Sequence, residues 1–475
     1  MKNPITDVVI LAAGLGTRMK SDTPKVLHRV CGQPMLAILM EELDRAIDPR
    51  SGAHFNVVIG HGRDEVSEMV RGLQKSGRIK APVVFTVQAE QLGTGHAVKL
   101  ALEHPSKASQ VAVFNGDLPL FGADCFSKFL EAHAAARSSA SLASTTIADA
   151  GQYGRVLRKG MTFTGVVEFK DASAAQRRIR EYNGGVYIFD LKTLVNALGK
   201  MKNKNAAREF YLPDVFEMAR KLKKNILAYH FDNPTVLGGV NNMRELAQAQ
   251  SALYRRSAEQ LMEDGVFIHD PQHTYLGPKV RAGRGCVIGP FTSIHGETVL
   301  GDRVRIGAHC ELSDVQIGNG TVVRNSTVAE KSVFGKDCSV GPMAHFRPGT
   351  RLADNVKIGN FVELKETSIG SNTAVSHLSY LGDAEVGSGV NVGCGFVTCN
   401  YDGVVRDGRR KHRSVIRDNV FIGSDCQVVA PIEIASGSFI ASGSTVTDTV
   451  KEEDSLVVAR TRQVTKSGYA KKYRK

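Results

Sequence analysis

Hydrophobic and polar positions follow two different rhythms along this chain. From Val8 to about Gly239, short apolar runs alternate with longer stretches of helical period. VVILAA, HFNVVIG, PVVFTVQ, QVAVFNGD and GGVYIFD read as buried strands, being compact, rich in β-branched residues and bounded by turn formers. MLAILMEELDRAI and SKFLEAHAAA repeat their apolar residues at helical spacing and predict amphipathic helices. Such alternation predicts an open, Rossmann-like α/β sheet, in which ligands sit at the carboxyl ends of the strands.

After about Asp270 the rhythm changes. Leu276, Ala282, Ile288, Ile294, Leu300, Ile306 and Leu312 recur at a step of six, and the beat returns at Leu352, Ile358 and Leu364 and again from Ile416 through Ile422, Val428 and Ile434 to Ile440. An α-helix, with about 3.6 residues per turn, would spread that stripe around its whole surface. Short strands joined by tight corners keep it on one side. Each hexapeptide therefore predicts one side of a coil, with its aliphatic residue in a narrow core and the coils stacked as a solenoid. NMRELAQAQSALYRRSAEQLM predicts a linking helix over about 241–264, which divides the chain into domains 1–240 and 265–475.

The first strand runs into a glycine loop, VVILAAGLGTRMKSDTPKVLH, from Val8 to His28. A dinucleotide fingerprint would place a glycine at Met19, and a Walker loop would place Lys-Ser/Thr directly after its last glycine. Neither fits. Gly14 and Gly16 can still bring backbone N–H groups to an anion where strand turns toward helix. Arg18 adds a planar, permanently charged fork, and Lys25, after Pro24, a second cation on a stiff turn.

Read as G-x-G-T-R followed by P-K, the loop resembles that of the sugar-nucleotide pyrophosphorylases. QAEQLGTGHAV, VFNGDLPL, GQYGRV, GVVEFKDA, YNGGVYIFD and GVNNMRE follow in that family's order. The six-residue repeats resemble those of the hexapeptide acyltransferases, which implies a left-handed parallel β-helix. Together the halves resemble the bifunctional bacterial uridyltransferase and acetyltransferase family that makes UDP-N-acetylglucosamine.

For the first half the resemblance implies transfer of uridyl from UTP to N-acetylglucosamine-1-phosphate, with release of pyrophosphate. Leu11, Ala12, Ala13, Gly14 and Gly16 would meet the nucleotide, and Gln88, Gly93 and Thr94 would read uracil. Gly154, Glu168 and Asn183 would hold the amino sugar, and Asn241 would contact substrate as well as metal. Asp117 and Asn241 would hold Mg²⁺, an ion that prefers a few hard oxygen ligands. Arg18 and Lys25 are the implied catalytic cations, in a reaction that needs positioning and charge neutralisation rather than a protein nucleophile.

For the second half it implies acetyl transfer from acetyl-CoA to glucosamine-1-phosphate. His377, two places after the core residue Val375 and so pointing outward, is the implied general base. Arg347 and Lys365 would hold the sugar phosphate, and Tyr380, Asn391 and Asn400 the hexosamine. Asn400, Tyr401, Ser424, Ser442 and Arg460 would contact acetyl-CoA, with a backbone N–H near Ser424 facing the oxyanion. A homotrimer with sites between neighbouring prisms is also implied.

The chain departs from the family at three places. Asn115 stands where an aromatic or small residue is usual, and Gly184 where Thr or Ser is usual. NYDGVVRDGRRKHRSVI, Asn400 to Ile416, carries a basic insertion, in which the family's lysine corresponds to Lys411, Arg410 or Arg413.

Composition narrows the alternatives. A chain of 475 residues exceeds one core, and a net charge of +13 attracts phosphates, nucleic acid or anionic membrane alike. The basic tail KSGYAKKYRK carries no nucleic-acid motif, so small phosphorylated ligands are expected rather than nucleic acid. MKNPITDVVI lacks the succession of a secretory signal, and no apolar run approaches the ~20 residues that cross a bilayer, so a cytoplasmic protein without membrane insertion is expected. The eight cysteines form no Cys-x-x-Cys pair and predict reduced, structural thiols. Two other readings remain: a nucleotidyltransferase whose solenoid only regulates or oligomerises, and a non-enzymatic scaffold like certain translation exchange factors. GLGTR, PK, Asp117 and Asn241 argue against the scaffold, and His377 with its neighbours against the regulator.

Overall fold

The run VVILAA forms the strand Thr6–Ala12, inside a sheet ordered Ile226–His230, Ala140–Thr146, Glu181–Asp190, Gln110–Asn115, Thr6–Ala12, Phe55–Ile59, Val83–Val87. Its alternate residues face two cores. Val8, Ile10 and Ala12 pack with Leu36, Leu39 and Met40 of the helix Met35–Ala46, whereas Val9 packs with Ala97, Val98 and Ala101 of the helix Thr94–Ala101. Burial on both faces is why the run reads as continuously apolar.

Thr6–Ala12 pairs in parallel with both Phe55–Ile59 and Gln110–Asn115. The chain leaves to one side for the former and returns to the other for the latter. The carboxyl end of the central strand is therefore a topological switch point, where an open sheet leaves a crevice. Glu181–Asp190 runs antiparallel to both of its neighbours. Apolar patterning predicts this strand but not its direction, since either direction buries the same residues.

The computed structural model describes residues 5–48, 51–405, 408–469 and 471. The chain forms two compact units, Met1–Leu253 and Tyr254–Lys475, and the cut falls inside one helix, Met243–Glu263. Five of the last six residues of the basic tail, 470 and 472–475, lie outside the described residues, as do 1–4 at the start and 406–407 in the basic insertion.

The second unit is a three-sided parallel β-helix. Its strands fall into sheets of eleven, ten and nine, and each strand pairs in parallel with the equivalent strand one coil on. Ala282 is partly buried, and from Ile288 to Ile440 the core positions stay buried, including Ile317, Val323, Ala329, Phe334, Val340 and Phe346, where the six-residue beat is lost in the sequence. The step shortens to five at Leu312 to Ile317, Ala329 to Phe334, Leu364 to Ile369 and Leu381 to Val386, each time entering the nine-stranded face. One shortened corner moves the register of the sequence without moving the core.

Threonines line the interior with their hydroxyls satisfied. Thr292, Thr321 and Thr373 are fully buried and donate at 2.8 Å to the carbonyls of Gly307, Gly335 and Gly387 on the next coil. None of the eight cysteines is disulfide-bonded. Cys286, Cys310, Cys338 and Cys426 are buried in the β-helix core, and burial pushes the thiols of the first three up, away from thiolate chemistry. Among the described residues no helix is long and apolar enough to cross a membrane.

Candidate active sites

The glycine loop lies at the switch point of the first unit. Gly16 adopts a left-handed conformation (φ 62°), and a β-carbon there would stand 2.7 Å from Lys25 Cβ. The loop thus closes directly onto the Pro-Lys turn. Lys25 pairs with Asp117, just past the end of the strand Gln110–Asn115, and donates to Asn241 Oδ1 at 2.8 Å. Arg18 donates to the same Asn241 oxygen at 2.8 Å and to Gln152 Oε1 at 3.4 Å.

Asn241 is oriented from behind. Its Nδ2 donates to Glu245 Oε2 at 3.1 Å and to the Gly239 carbonyl at 3.2 Å, which turns its Oδ1 toward the two cations. Glu245 also accepts from the Asn241 backbone N–H at 2.7 Å. Asn242 caps the helix Met243–Glu263 through a reciprocal pair with Glu245: its Oδ1 accepts from the Glu245 N–H and its amide donates to Glu245 Oε1. Sequence reading missed Glu245, although N-x-x-E ahead of a helix was the available signal.

Asp117 and Asn241 direct oxygens at a single cation, the Lys25 ammonium. That convergence of hard oxygen donors fits a small divalent ion completed by water and phosphate. Among the described residues no group of three or more His, Cys, Asp or Glu forms a separate metal site.

Two cavities open here. The smaller, 360 Å³, is lined by Leu11, Ala13, Gly14, Lys25, Gln88, Gly93, Thr94, Asn115, Asp117 and Asn241. It therefore gathers the residues expected around the nucleotide, except that Ala12 is buried in the core beneath the loop and Gly16 supports Lys25. Gln88 is almost fully buried, and its Nε2 donates to the Gly93 carbonyl at 3.1 Å. Gln91, not singled out from sequence, holds the Ala13 carbonyl at 2.7 Å.

The larger cavity, 910 Å³, is lined by Arg18, Thr94, Asp117, Gly154, Glu168, Asn183, Asn241 and Glu245 among others, so the three expected sugar residues share one wall. Asn183 uses its amide internally, donating to Tyr187 Oη at 2.7 Å and accepting from Gly185 N at 3.2 Å. Burial, then the nearby Asp214, Asp171 and Glu209 carboxylates, lifts the Glu168 carboxyl to about 7. Burial and the Glu217 and Asp171 charges lift Asp214 to about 6. This acidic wall combines separate sequence segments and carries no local motif.

Both departures in this half have a steric counterpart. A β-carbon at Gly184 would stand 2.6 Å from Leu237 Cδ1, so Leu237 fills the space where a hydroxylated side chain is usual. Asn115 lies against Gly185, where a β-carbon would collide with its amide.

In the second unit His377 ends the strand Ala374–His377, is exposed, and hydrogen-bonds through Nδ1 to Asn360 Oδ1. It heads a column along one corner of the prism. Gly395 N donates to the His377 carbonyl at 3.2 Å, Asp425 N to Cys394 O at 2.7 Å, and Gly443 N to Ser424 O at 2.9 Å. Arg460 donates to the Ser442 carbonyl at 2.5 Å. Ser424, Ser442 and Arg460 thus stack on successive coils beyond His377. Asn391 lies on the same face, in register with Ala374 and Phe421.

The remaining expected residues belong to the adjacent face. Arg347 pairs with Glu363 at 3.2 Å, and Lys365 with Asp383 at 3.6 Å, while Asn400 Nδ2 donates to the same Asp383 carboxylate. Tyr380 Oη and the Asn400 amide both crowd Gly382. Within one chain the structure gathers Lys365, Tyr380 and Asn400 around Gly382 and Asp383, whereas His377 ends a strand of the eleven-stranded face.

The insertion is tied at its base. His412, buried, donates its backbone N–H to the Asn400 carbonyl at 2.9 Å and meets Asp402 through Nε2 at 3.1 Å. Lys411 Nζ lies 5.6 Å from the centre of the Tyr401 ring, whereas Arg413 is paired with Glu385. Lys411, one of the cations considered for the family lysine, is thus placed beside Tyr401.

Comparison with known proteins agrees with this two-part build. The profile described as MobA-like NTP transferase domain matches residues 8–184, and that described as bacterial transferase hexapeptide (six repeats) matches 280–314 and 413–448. These hexapeptide repeats wind as a left-handed β-helix. "Bifunctional protein GlmU" of Shouchella clausii (strain KSM-K16) is 42% identical over 467 residues, covering 98% of this chain and 98% of that protein. The protein of the same name from Geobacillus sp. (strain WCH70) is 41% identical over 97% of this chain and 96% of its own. That from Carboxydothermus hydrogenoformans (strain ATCC BAA-161 / DSM 6008 / Z-2901) is 40% identical over 98% and 99%.

Proposed function

The chain belongs to the GlmU family of bifunctional proteins, and from that membership we infer that it makes UDP-N-acetylglucosamine in two steps. The repeat half transfers acetyl from acetyl-CoA to glucosamine-1-phosphate. The first half then transfers uridyl from UTP to the N-acetylated sugar phosphate and releases pyrophosphate. The observation that carries the second step is the convergence of Arg18, Lys25, Asp117 and Asn241 at the switch point of the sheet.

In uridyl transfer the sugar phosphate oxygen attacks the α-phosphorus of UTP, and the bond to pyrophosphate breaks. Arg18 and the amides of the glycine loop bind the departing pyrophosphate, and Lys25 bridges it to the sugar phosphate. Asp117 and Asn241 hold Mg²⁺, which when bound neutralises phosphate charge. Gln88, Gly93 and Thr94 take uracil, and Gly154, Glu168 and Asn183 the N-acetylated sugar.

In acetyl transfer the glucosamine nitrogen attacks the thioester carbonyl, and the C–S bond breaks as the amide forms. His377 takes the proton from nitrogen and returns it to the coenzyme A thiolate. Arg347, Lys365, Tyr380, Asn391 and Asn400 hold the sugar phosphate, while Tyr401, Ser424, Ser442 and Arg460, with Asn400, follow the coenzyme.

A homotrimer brings the two faces of neighbouring prisms together at each acetylation site. Phe291, Met343, Phe361 and Leu378 support this: each is a large apolar residue 50–59% exposed, and each lies at a corner in the left-handed conformation. An exposed apolar edge of this kind marks an association surface. The enzyme works in the cytoplasm on small phosphorylated substrates, with neither nucleic acid nor membrane insertion.

The order of the steps is testable with glucosamine-1-phosphate, UTP and Mg²⁺ supplied together. Pyrophosphate release should wait for added acetyl-CoA and match free thiol one for one. Rapid pyrophosphate release before acetyl-CoA is added would overturn the order.

A further inference from the structure

We propose that Asn360 is a positioning residue for acetyl transfer, its side-chain oxygen holding the His377 ring in the tautomer that leaves Nε2 free to accept a proton. The inference rests on the reading of His377 as the base.

The strands Lys357–Asn360 and Ala374–His377 are parallel neighbours, and their register places Asn360 directly beside His377. Most strands of this face hold only two residues. These two are longer, and their extra rung is the one that joins Asn360 to His377.

Asn360 Oδ1 bonds to His377 Nδ1. An amide oxygen only accepts, so Nδ1 carries the proton and the lone pair of the neutral ring lies on Nε2. The opposite amide orientation would aim N–H at Nδ1 and leave the proton on Nε2, where it blocks the chemistry. One side chain therefore decides which ring nitrogen is basic.

The partner is neutral because the nearby carboxylates are engaged elsewhere. Glu363 pairs with Arg347, and Asp383 with Lys365 and Asn400. Other titratable groups on the flanking elements include Lys357, on the same strand as Asn360, Tyr380 on the adjoining face, and Cys394 on the next coil, while Glu385 lies on the nine-stranded face. A carboxylate in place of Asn360 would stabilise the imidazolium and raise the pH at which the base is lost; an amide orients the ring without doing so.

The test is the pH profile of coenzyme A release by the full-length chain, the Asn360→Asp and Asn360→Ala variants, and His377→Ala. Asn360→Asp should remain active and move the acidic limb of kcat/KM upward by about one pH unit. Asn360→Ala should lower kcat about 10-fold or more with the KM for acetyl-CoA unchanged. If Asn360→Ala fails to fold, the near-isosteric aspartate variant decides alone. An Asn360→Asp profile that superposes on the parent, or full kcat in a folded Asn360→Ala, overturns the proposal while His377→Ala is inactive. Full release by His377→Ala instead overturns the reading of the base itself.

Discussion

The Lys25 ammonium donates to Asn241 Oδ1 at 2.8 Å while pairing with Asp117 on its other side. A side-chain cation thus sits where the two proposed metal ligands converge. A divalent ion must displace it, and phosphates that attract Lys25 make that displacement easier, so metal and nucleotide should bind cooperatively. Lys25→Met should bind Mn²⁺ at least ~10-fold more tightly than the parent without nucleotide, as read by electron paramagnetic resonance, while binding UTP more weakly. Equal Mn²⁺ affinity in the two proteins would show that Lys25 does not compete for the site.

Glu168 sets sugar binding against stability. Its carboxyl, ordinarily near 4.5, is lifted by burial to about 7. Between those values the unfolded chain ionises while the folded one stays neutral, so stability is fully present below 4.5 and is lost as pH rises through about 7. Glu168→Gln should therefore raise the melting temperature at pH ~8, by on the order of 1–3 kcal/mol of stability, and leave it unchanged near pH ~4. The same variant should raise the KM for N-acetylglucosamine-1-phosphate. Equal melting at both pH values would remove Glu168 as a source of strain.

Leu237 occupies the space beside Gly184. Gly184→Thr should destabilise the first unit by roughly 1–3 kcal/mol through overpacking, and Gly184→Thr with Leu237→Ala should recover part of that loss. Denaturant unfolding measures both. A single variant as stable as the parent would mean the wall yields.

Much of this architecture is legible in the sequence because burial leaves a period. The Val8–Ala12 run and the six-step from Leu276 to Leu312 each name their fold class directly. Direction does not follow from burial, which is why the antiparallel course of Glu181–Asp190 appears only in the structure. The first-half site was legible where it is local, as in the glycine loop. It was not where Glu168 and Asp171 meet Glu209 and Asp214, because that relationship joins segments far apart in the chain, whereas Glu245, four residues from Asn241, was signalled locally by N-x-x-E and overlooked. Asn360 was hidden for a simpler reason: its partner is one coil away, and only the register of the β-helix places them together.

The central claim is that two chemistries reside in separate halves, with His377 as the base of one. It is tested most directly by measuring free-thiol release and pyrophosphate release in a single preparation of His377→Ala, with acetyl-CoA and glucosamine-1-phosphate for the first and UTP and N-acetylglucosamine-1-phosphate for the second. Thiol release should fall about 100-fold or more, with pyrophosphate release at the parent rate. Undiminished thiol release, or a parallel loss of both activities in a folded protein, would contradict the account.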